Sequence, residues 1–339
     1  MRKSDLNGLL AAIAAGRKLY LPVDTDAGTR FVLWQEGVEL SHSLNSARSA
    51  KDFFFPQTET LMEFKVEGKK IEIKDIREEH EDFALFGVRA CDVRGFEVLD
   101  RVFLSEPVDS YYKNRREHCT VFSLACTRPQ ATCFCTTFGI DPANPGADVQ
   151  CYIDADTVYL EALTDKGRDA LDKAGITDEC TDETVKAQRD TIGERMNALP
   201  LAGLSADAFG AGKTDEYFDS DAWAHLSESC LGCGTCTFVC PTCQCYDIKD
   251  FNTGDGIKRF RCWDSCMYSE FTKMSAGQPR LTQKERFRQR FMHKLVYFPE
   301  NNDGIFGCVG CGRCVAKCPI GMNIVKVMKT LSDGGKADE

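Results

Sequence analysis

Histidine is scarce in this chain. There are five in 339 residues, and none stand in H-x-x-H or H-E-x-x-H spacing, so the common zinc-hydrolase signatures are missing. No apolar run approaches the roughly 18 residues that cross a bilayer. Gly8 to Ala15, behind Arg2 and Lys3, is the best match to a signal peptide, but Asp5 and Asn7 interrupt it. Leu6, Leu9, Leu10 and Ile13 share one helical face, which predicts an amphipathic helix of a cytoplasmic protein. No G-x-G-x-x-G follows a strand-like segment and no G-x-x-x-x-G-K-[ST] occurs. No Ser/His/Asp or Cys/His pair has a recognisable context. These absences predict a chain that binds no flavin or NAD(P) itself and does no bond chemistry alone. The net charge of −10 argues against nucleic acid and suits a subunit with charged partners.

Cysteine is what the chain has in excess, with nineteen residues. A cytosolic protein does not keep that many as disulfides. Twelve lie between Cys230 and Cys318 and five between Cys91 and Cys135; only Cys151 and Cys180 fall outside. Clustered soft thiolates mean iron–sulfur or zinc.

The predicted fold class is α+β, in two domains. Residues 1–199 read as a mixed α/β domain. Ser4 opens a helix that ends near Gly16. Strands are expected at Lys18–Val23, Arg30–Trp34, Phe83–Val88, Thr120–Ala125 and Thr157–Leu160, with a hairpin at Met62–Val66 and Lys70–Ile73. Phe83–Val88 and Thr120–Ala125 are continuous apolar runs, as strands buried on both faces would be. A helix from Asp92, its expected N-cap, to Leu104 would join them as a parallel βαβ unit. Two more helices are expected near Asp165–Lys173 and Glu183–Leu199. Residues 200–213 are small and weakly patterned and read as a linker. Residues 214–331 read as helical between cysteine motifs, and 332–339 as a flexible tail. Thr282 with Glu285 forms a capping box for a helix ending near Tyr297, stopped by Pro299. Phe287, Phe291 and Leu295 are its buried stripe.

Cys230, Cys233, Cys236 and Cys240-Pro241 spell C-x2-C-x2-C-x3-C-P, and Cys308, Cys311, Cys314 and Cys318-Pro319 repeat it. This is the bacterial [4Fe–4S] ferredoxin run, whose fourth cysteine ligates the other cluster in two-cluster ferredoxins. One cluster is thus assigned to Cys230, Cys233, Cys236 and Cys318, the other to Cys308, Cys311, Cys314 and Cys240. A pair of zinc sites is the alternative for C-x2-C spacing. The segment between the motifs reads as helix, which favours a helical ferredoxin domain over a compact βαββαβ one.

Cys91 and Cys126 each follow a buried strand, at the rim where open α/β sheets place ligands, and Cys133-Phe134-Cys135 lies on the loop leaving Cys126. These four converge as a third candidate site; buried core cysteines are the alternative. Cys119 points into the sheet and reads as structural. Cys243, Cys245, Cys262 and Cys266 are left over as a possible fourth site, or as packing beside the ferredoxin sites. Lys284, Arg286, Arg288, Arg290, His293 and Lys294 on helix 282–297 read as cations near the negative clusters, as a docking face for an acidic partner, or as a solvated face.

Arg89-Ala90-Cys91-Asp92, Cys126, Cys133-Phe134-Cys135, the run Pro241 to Asp247 (PTCQCYD) and Trp263-Asp264-Ser265-Cys266-Met267 together resemble one family. It is the iron–sulfur electron-transfer family found in cytoplasmic sulfhydrogenases, as their beta subunit, and in anaerobic sulfite reductase. The likeness runs from about Leu21 to Met328. The resemblance implies a third [4Fe–4S] cluster on Cys91, Cys126, Cys133 and Cys135. It implies an electron-transfer subunit of a hetero-oligomeric anaerobic oxidoreductase, between a flavin subunit handling NAD(P)H and a catalytic subunit of hydrogenase, sulfite reductase or heterodisulfide-reductase type. The chain departs from the family at Ala90, where members often have proline, and at Cys262, where they often have arginine. The competing expectation is a catalytic subunit that acts on a sulfur species at the N-terminal cluster or holds its own flavin.

Overall fold

The computed structural model describes residues 1–41, 43, 45–77, 81–176 and 180–334. The expected tail therefore lies mostly outside the described residues.

Among the described residues the first sheet has six strands: β1 (Lys18–Val23), β2 (Arg30–Leu33), β5 (Phe83–Val88), β6 (Cys119–Leu124), β7 (Val149–Ile153) and β8 (Val158–Ala162), in the order β2-β1-β5-β6-β7-β8. β1, β5, β6 and β7 run parallel, and β2 and β8 pair antiparallel at the edges. β5 and β6 bury all or nearly all their residues, which is why each reads as an unbroken apolar run. One face packs on Leu9, Leu10 and Ile13 of helix Leu6–Ala14 and on Ala170 and Leu171 of helix Asp165–Lys173. The other packs on Val93, Phe96, Leu99 and Phe103 of helix Ala90–Phe103 and on Tyr112.

Two expected caps are corrected. Ser4 sits inside a 3-10 turn, Lys3–Asp5, ahead of the first helix. Asp92 is not the N-cap of its helix. Arg89 holds that place, and the Asp92 carboxylate is drawn inward by an arginine far along the chain.

The expectation of a helical chain beyond residue 214 fails between the motifs. Tyr246–Asn252 (β9) and Gly256–Trp263 (β10) form a hairpin. It pairs antiparallel with β3 (Thr58–Glu67), and β3 with β4 (Lys70–Asp75), in a second sheet of order β4-β3-β10-β9. Residues on both sides of 200–213 therefore build one sheet. Arg261 of β10 locks it to the first half, 2.5 Å from Glu59 and also paired with Asp109. Residues 200–213 carry no long element, yet Ala206 and Phe209 are buried in the C-terminal core.

That core joins Trp223 and Leu226, Phe287 and Phe291, and Val327, Met328 and Leu331 from helices Ala222–Glu228, Gln283–Met292 and Ile324–Ser332. The capping box of Thr282 and Glu285 forms as expected. Pro299 does not end the helix. The chain continues through a π turn, His293–Tyr297, into Phe298–Asn301, where proline fits the first turn. No helix among the described residues is long and apolar enough to cross a membrane.

Candidate iron–sulfur sites

Cys91 opens the helix after β5, and Cys126 lies two residues beyond β6. Because β5 and β6 are parallel neighbours, both stand at one rim. There Cys91, Cys126, Cys133 and Cys135 line a single small void, with Asn45, Arg89 and Gly310. Burial pushes all four thiols up, Cys133 to about 11 and Cys135 to about 12. Arg89 opposes this at Cys126, where its buried guanidinium favours the thiolate.

The second motif forms a small neighbouring void. It is lined by Cys308, Cys311, Cys314 and the crossed-over Cys240, with Arg290 and Lys294. Burial raises Cys308, Cys311 and Cys314. Cys240 goes the other way: the Cys243 thiol donates a hydrogen bond to it, and Lys294 holds a positive charge beside it. Among the described residues no three Cys, His, Asp or Glu groups close around a single metal ion.

In the first motif, Cys236 sits within electrostatic reach of Cys230, Cys233 and Cys240. Cys230 and Cys318 pack against the same core. Cys233 is exposed, and hydrogen bonding with Thr235, whose hydroxyl lies 3.4 Å from the sulfur, lowers its thiol. Gly234 takes φ +73 under Tyr268, whose ring leaves no room for a Cβ.

The two voids share a wall. Phe134 donates its N–H to the Gly310 carbonyl at 2.8 Å, and a Cβ on Gly310 would stand 2.3 Å from the Phe134 oxygen. Asn45 donates to the Cys311 carbonyl at 2.9 Å. Arg313, in the second motif, reaches Asp92, the neighbour of Cys91, at 2.6 Å. The N-terminal loop and the second motif are thus one packed unit.

Of the six basic residues expected on helix 282–297, two turn inward. Arg290 and Lys294 are 3% and 5% exposed. Burial disfavours both cations, but the sulfurs around them outweigh it: Cys236 and Cys314 for Arg290, Cys240 and Cys243 for Lys294. Lys294 donates to Thr242 Oγ1 and to the Gly307 carbonyl. Arg288 lies over Phe218 at the surface. Lys51, 1% exposed, adds a second buried ammonium, donating to the Cys243 carbonyl and lying 4.0 Å from the Trp263 ring centre. Among the described residues no carboxylate ion pair engages Lys51, Arg290 or Lys294, and Arg290 Nε is buried without a hydrogen-bond partner. Buried cations that lack a carboxylate partner and have several cysteine sulfurs beside them fit an anionic thiolate-bound group.

Of the leftover cysteines, Cys243, Cys245 and Cys266 gather near Lys294, with Lys51 also beside Cys243 and Cys245 and Arg290 beside Cys266. Cys262 is not placed with them. It pairs with Thr58 and Asp247 in the ladder, one position out of phase with buried Arg261 and Trp263. Cys119 is buried in the core, as expected. Sequence reading missed Lys51, Asn45, Arg313 and Gln283, whose amide reaches Cys230 Sγ at 3.5 Å. Only Arg313 carried a signal, as a cation inside a cysteine motif.

The 4Fe-4S dicluster domain family matches residues 229–322. Sulfhydrogenase 2 subunit beta of Pyrococcus furiosus is 34% identical over 270 residues, covering 78% of this chain and 79% of the relative. No solved structure matches the chain. A mixed α/β half with a parallel sheet, followed by a ferredoxin-type [4Fe–4S] domain, places the chain in the iron–sulfur subunit family of the sulfhydrogenase beta subunits.

Proposed function

We propose that the chain is an electron-relay subunit holding three [4Fe–4S] groups. Cys91, Cys126, Cys133 and Cys135 would hold the first. Cys230, Cys233, Cys236 and Cys318 would hold the second, and Cys308, Cys311, Cys314 and Cys240 the third. When bound, such groups carry single electrons. The protein fixes their spacing, shields them from water and sets the charge around them. Arg290 and Lys294 favour the more negative, reduced state of whatever the sulfurs hold. Because ligation needs thiolates, the buried thiols release protons on loading.

The observation that carries this reading is the shared wall between the voids, where Phe134 and Gly310 bond directly. It puts the N-terminal cysteine set and the second ferredoxin motif side by side, as a relay requires. The chain would work in a hetero-oligomer, as the relative's name as a subunit suggests for that protein. One partner would be a flavin subunit exchanging electrons with NAD(P)H, and the other a catalytic redox subunit.

The test is iron and acid-labile sulfide per anaerobically purified chain. Three groups give about twelve of each. About eight would demote Cys91, Cys126, Cys133 and Cys135 to packing, and zinc without sulfide would end the electron-transfer reading.

A further inference from the structure

Cys245 and Cys266 belong to none of the three four-cysteine sets, yet the fold holds them together. Cys245 immediately precedes β9, and Cys266 follows β10 by three residues. The last ladder pair of that hairpin is Trp263 with Tyr246, and beyond it the Asp264 N–H donates to the Cys245 carbonyl at 3.0 Å. Across this closed end the Cys245 and Cys266 thiols are close enough to shift one another, Cys245 downward and Cys266 upward. The turn carrying Cys266 is tied to the first ferredoxin motif, because Thr237 Oγ1 donates to Ser265 Oγ at 2.9 Å.

The surroundings suit thiol redox chemistry. A reactive thiol needs a stabilised thiolate and a second thiol in contact. The neighbouring Cys266 thiol lowers Cys245 to about 7, with Lys294 and Lys51 adding to the effect. Both residues are half-buried. A fourth cluster is poorly supplied here: Cys262 is out of phase and Cys243 is engaged with Cys240.

We propose that Cys245 and Cys266 form a redox-active dithiol–disulfide pair that exchanges two electrons with the adjacent iron–sulfur groups. The electron source rests on the function proposed above; the thiol chemistry does not. In reduction, the Cys245–Cys266 S–S bond breaks on accepting two electrons, one from each of two reduced [4Fe–4S] groups. Two protons from solvent complete the two thiols. In oxidation the two thiols give up two protons and two electrons to two oxidised groups, and the S–S bond forms. Such a pair would let a one-electron relay store the two electrons that a hydride donor or acceptor handles together.

The test uses the full chain, purified anaerobically and equilibrated in glutathione buffers of stepped potential. It is then alkylated, digested and mapped by mass spectrometry. The expected result is a Cys245–Cys266 linked peptide, about 2 Da lighter than the dithiol, in oxidising buffers. Dithionite should remove it. Cys266→Ser and, independently, Cys245→Ser should abolish the link while iron per chain stays at the wild-type level. Alkylation of both cysteines separately at every potential would overturn the proposal. So would protection of both with iron in excess of about twelve per chain, which would mark a fourth cluster. Iron far below about twelve, with the linked peptide still forming, would overturn the electron source alone.

Discussion

Asp92 and Arg313, 221 positions apart, form a fully buried ion pair: Arg313 Nη1 and Nη2 donate to the two Asp92 oxygens at 2.8 and 2.6 Å. Ser49 also donates to Asp92, and Arg313 also donates to the Ser46 carbonyl. The pair clamps the helix that starts at the N-terminal cysteine rim onto the second ferredoxin motif. Breaking one partner strands a buried charge, which costs about 3–5 kcal/mol, whereas replacing both with apolar groups costs far less. Asp92→Leu and Arg313→Met should each lower stability by that order in anaerobic denaturant titration. The double variant should recover most of the loss, and additive losses would refute the clamp.

Gly310 takes φ +57 and has the Phe134 carbonyl where a Cβ would go. Gly310→Ala should push the 132–135 loop off the second motif. Iron per chain should fall by roughly a third or more, since the two adjoining sites share that wall. Gly321→Ala is the control. Its φ is +68 with open space around it, so only backbone strain of about 1 kcal/mol applies and iron should hold.

How much of this was readable in the sequence depends on the range of the signal. The cysteine spacings are local, so both ferredoxin runs were legible. The buried strands Phe83–Val88 and Cys119–Leu124 were too, and from them the rim position of Cys91 and Cys126. The hairpin β9–β10 was not. Its partner β3 lies nearly two hundred residues upstream, and every residue of β9 is exposed, so the brief alternation of Tyr246 and Ile248 marks no buried face. Asp92 looked like a cap because its local context is that of a cap. Only the distant Arg313 draws it inward. Arg290 and Lys294 were visible as charges, but their inward turn depends on the packing of Phe287 and Phe291 and on the π turn that follows.

His293 lies in that π turn, and burial holds its imidazole down to about 4, with Lys294 and Arg280 adding to the effect. The folded state therefore keeps it neutral while the unfolded chain protonates near 6.5. The unfolded state binds the extra proton between these values, so stability is lost as pH falls from about 6.5 towards 4, by up to about 3 kcal/mol. Comparing urea midpoints near pH 7 and pH 5 should show a smaller acid loss in His293→Gln than in the wild type. Equal losses would mean that the charge change lies elsewhere.

The buried cations make the sharpest electrostatic prediction. Reduction adds negative charge to a thiolate-bound group, and a cation close by stabilises that charge more than the oxidised state. Lys294 faces Cys240, Cys243 and Cys308, and Arg290 faces Cys236 and Cys314, so the guanidinium spans both ferredoxin motifs. Lys294→Met keeps the volume and removes the charge. It should lower the reduction potential of the group held by the second motif by on the order of 50–150 mV, since about 60 mV corresponds to a tenfold change for one electron. Arg290→Met should lower the potentials of both ferredoxin-motif groups. Potentiometric titration followed by electron paramagnetic resonance separates the signals. Removing a merely structural lysine would reduce iron content or stability without moving the midpoint of the clusters that remain. An unchanged midpoint at wild-type iron content would therefore sink the electrostatic role of Lys294.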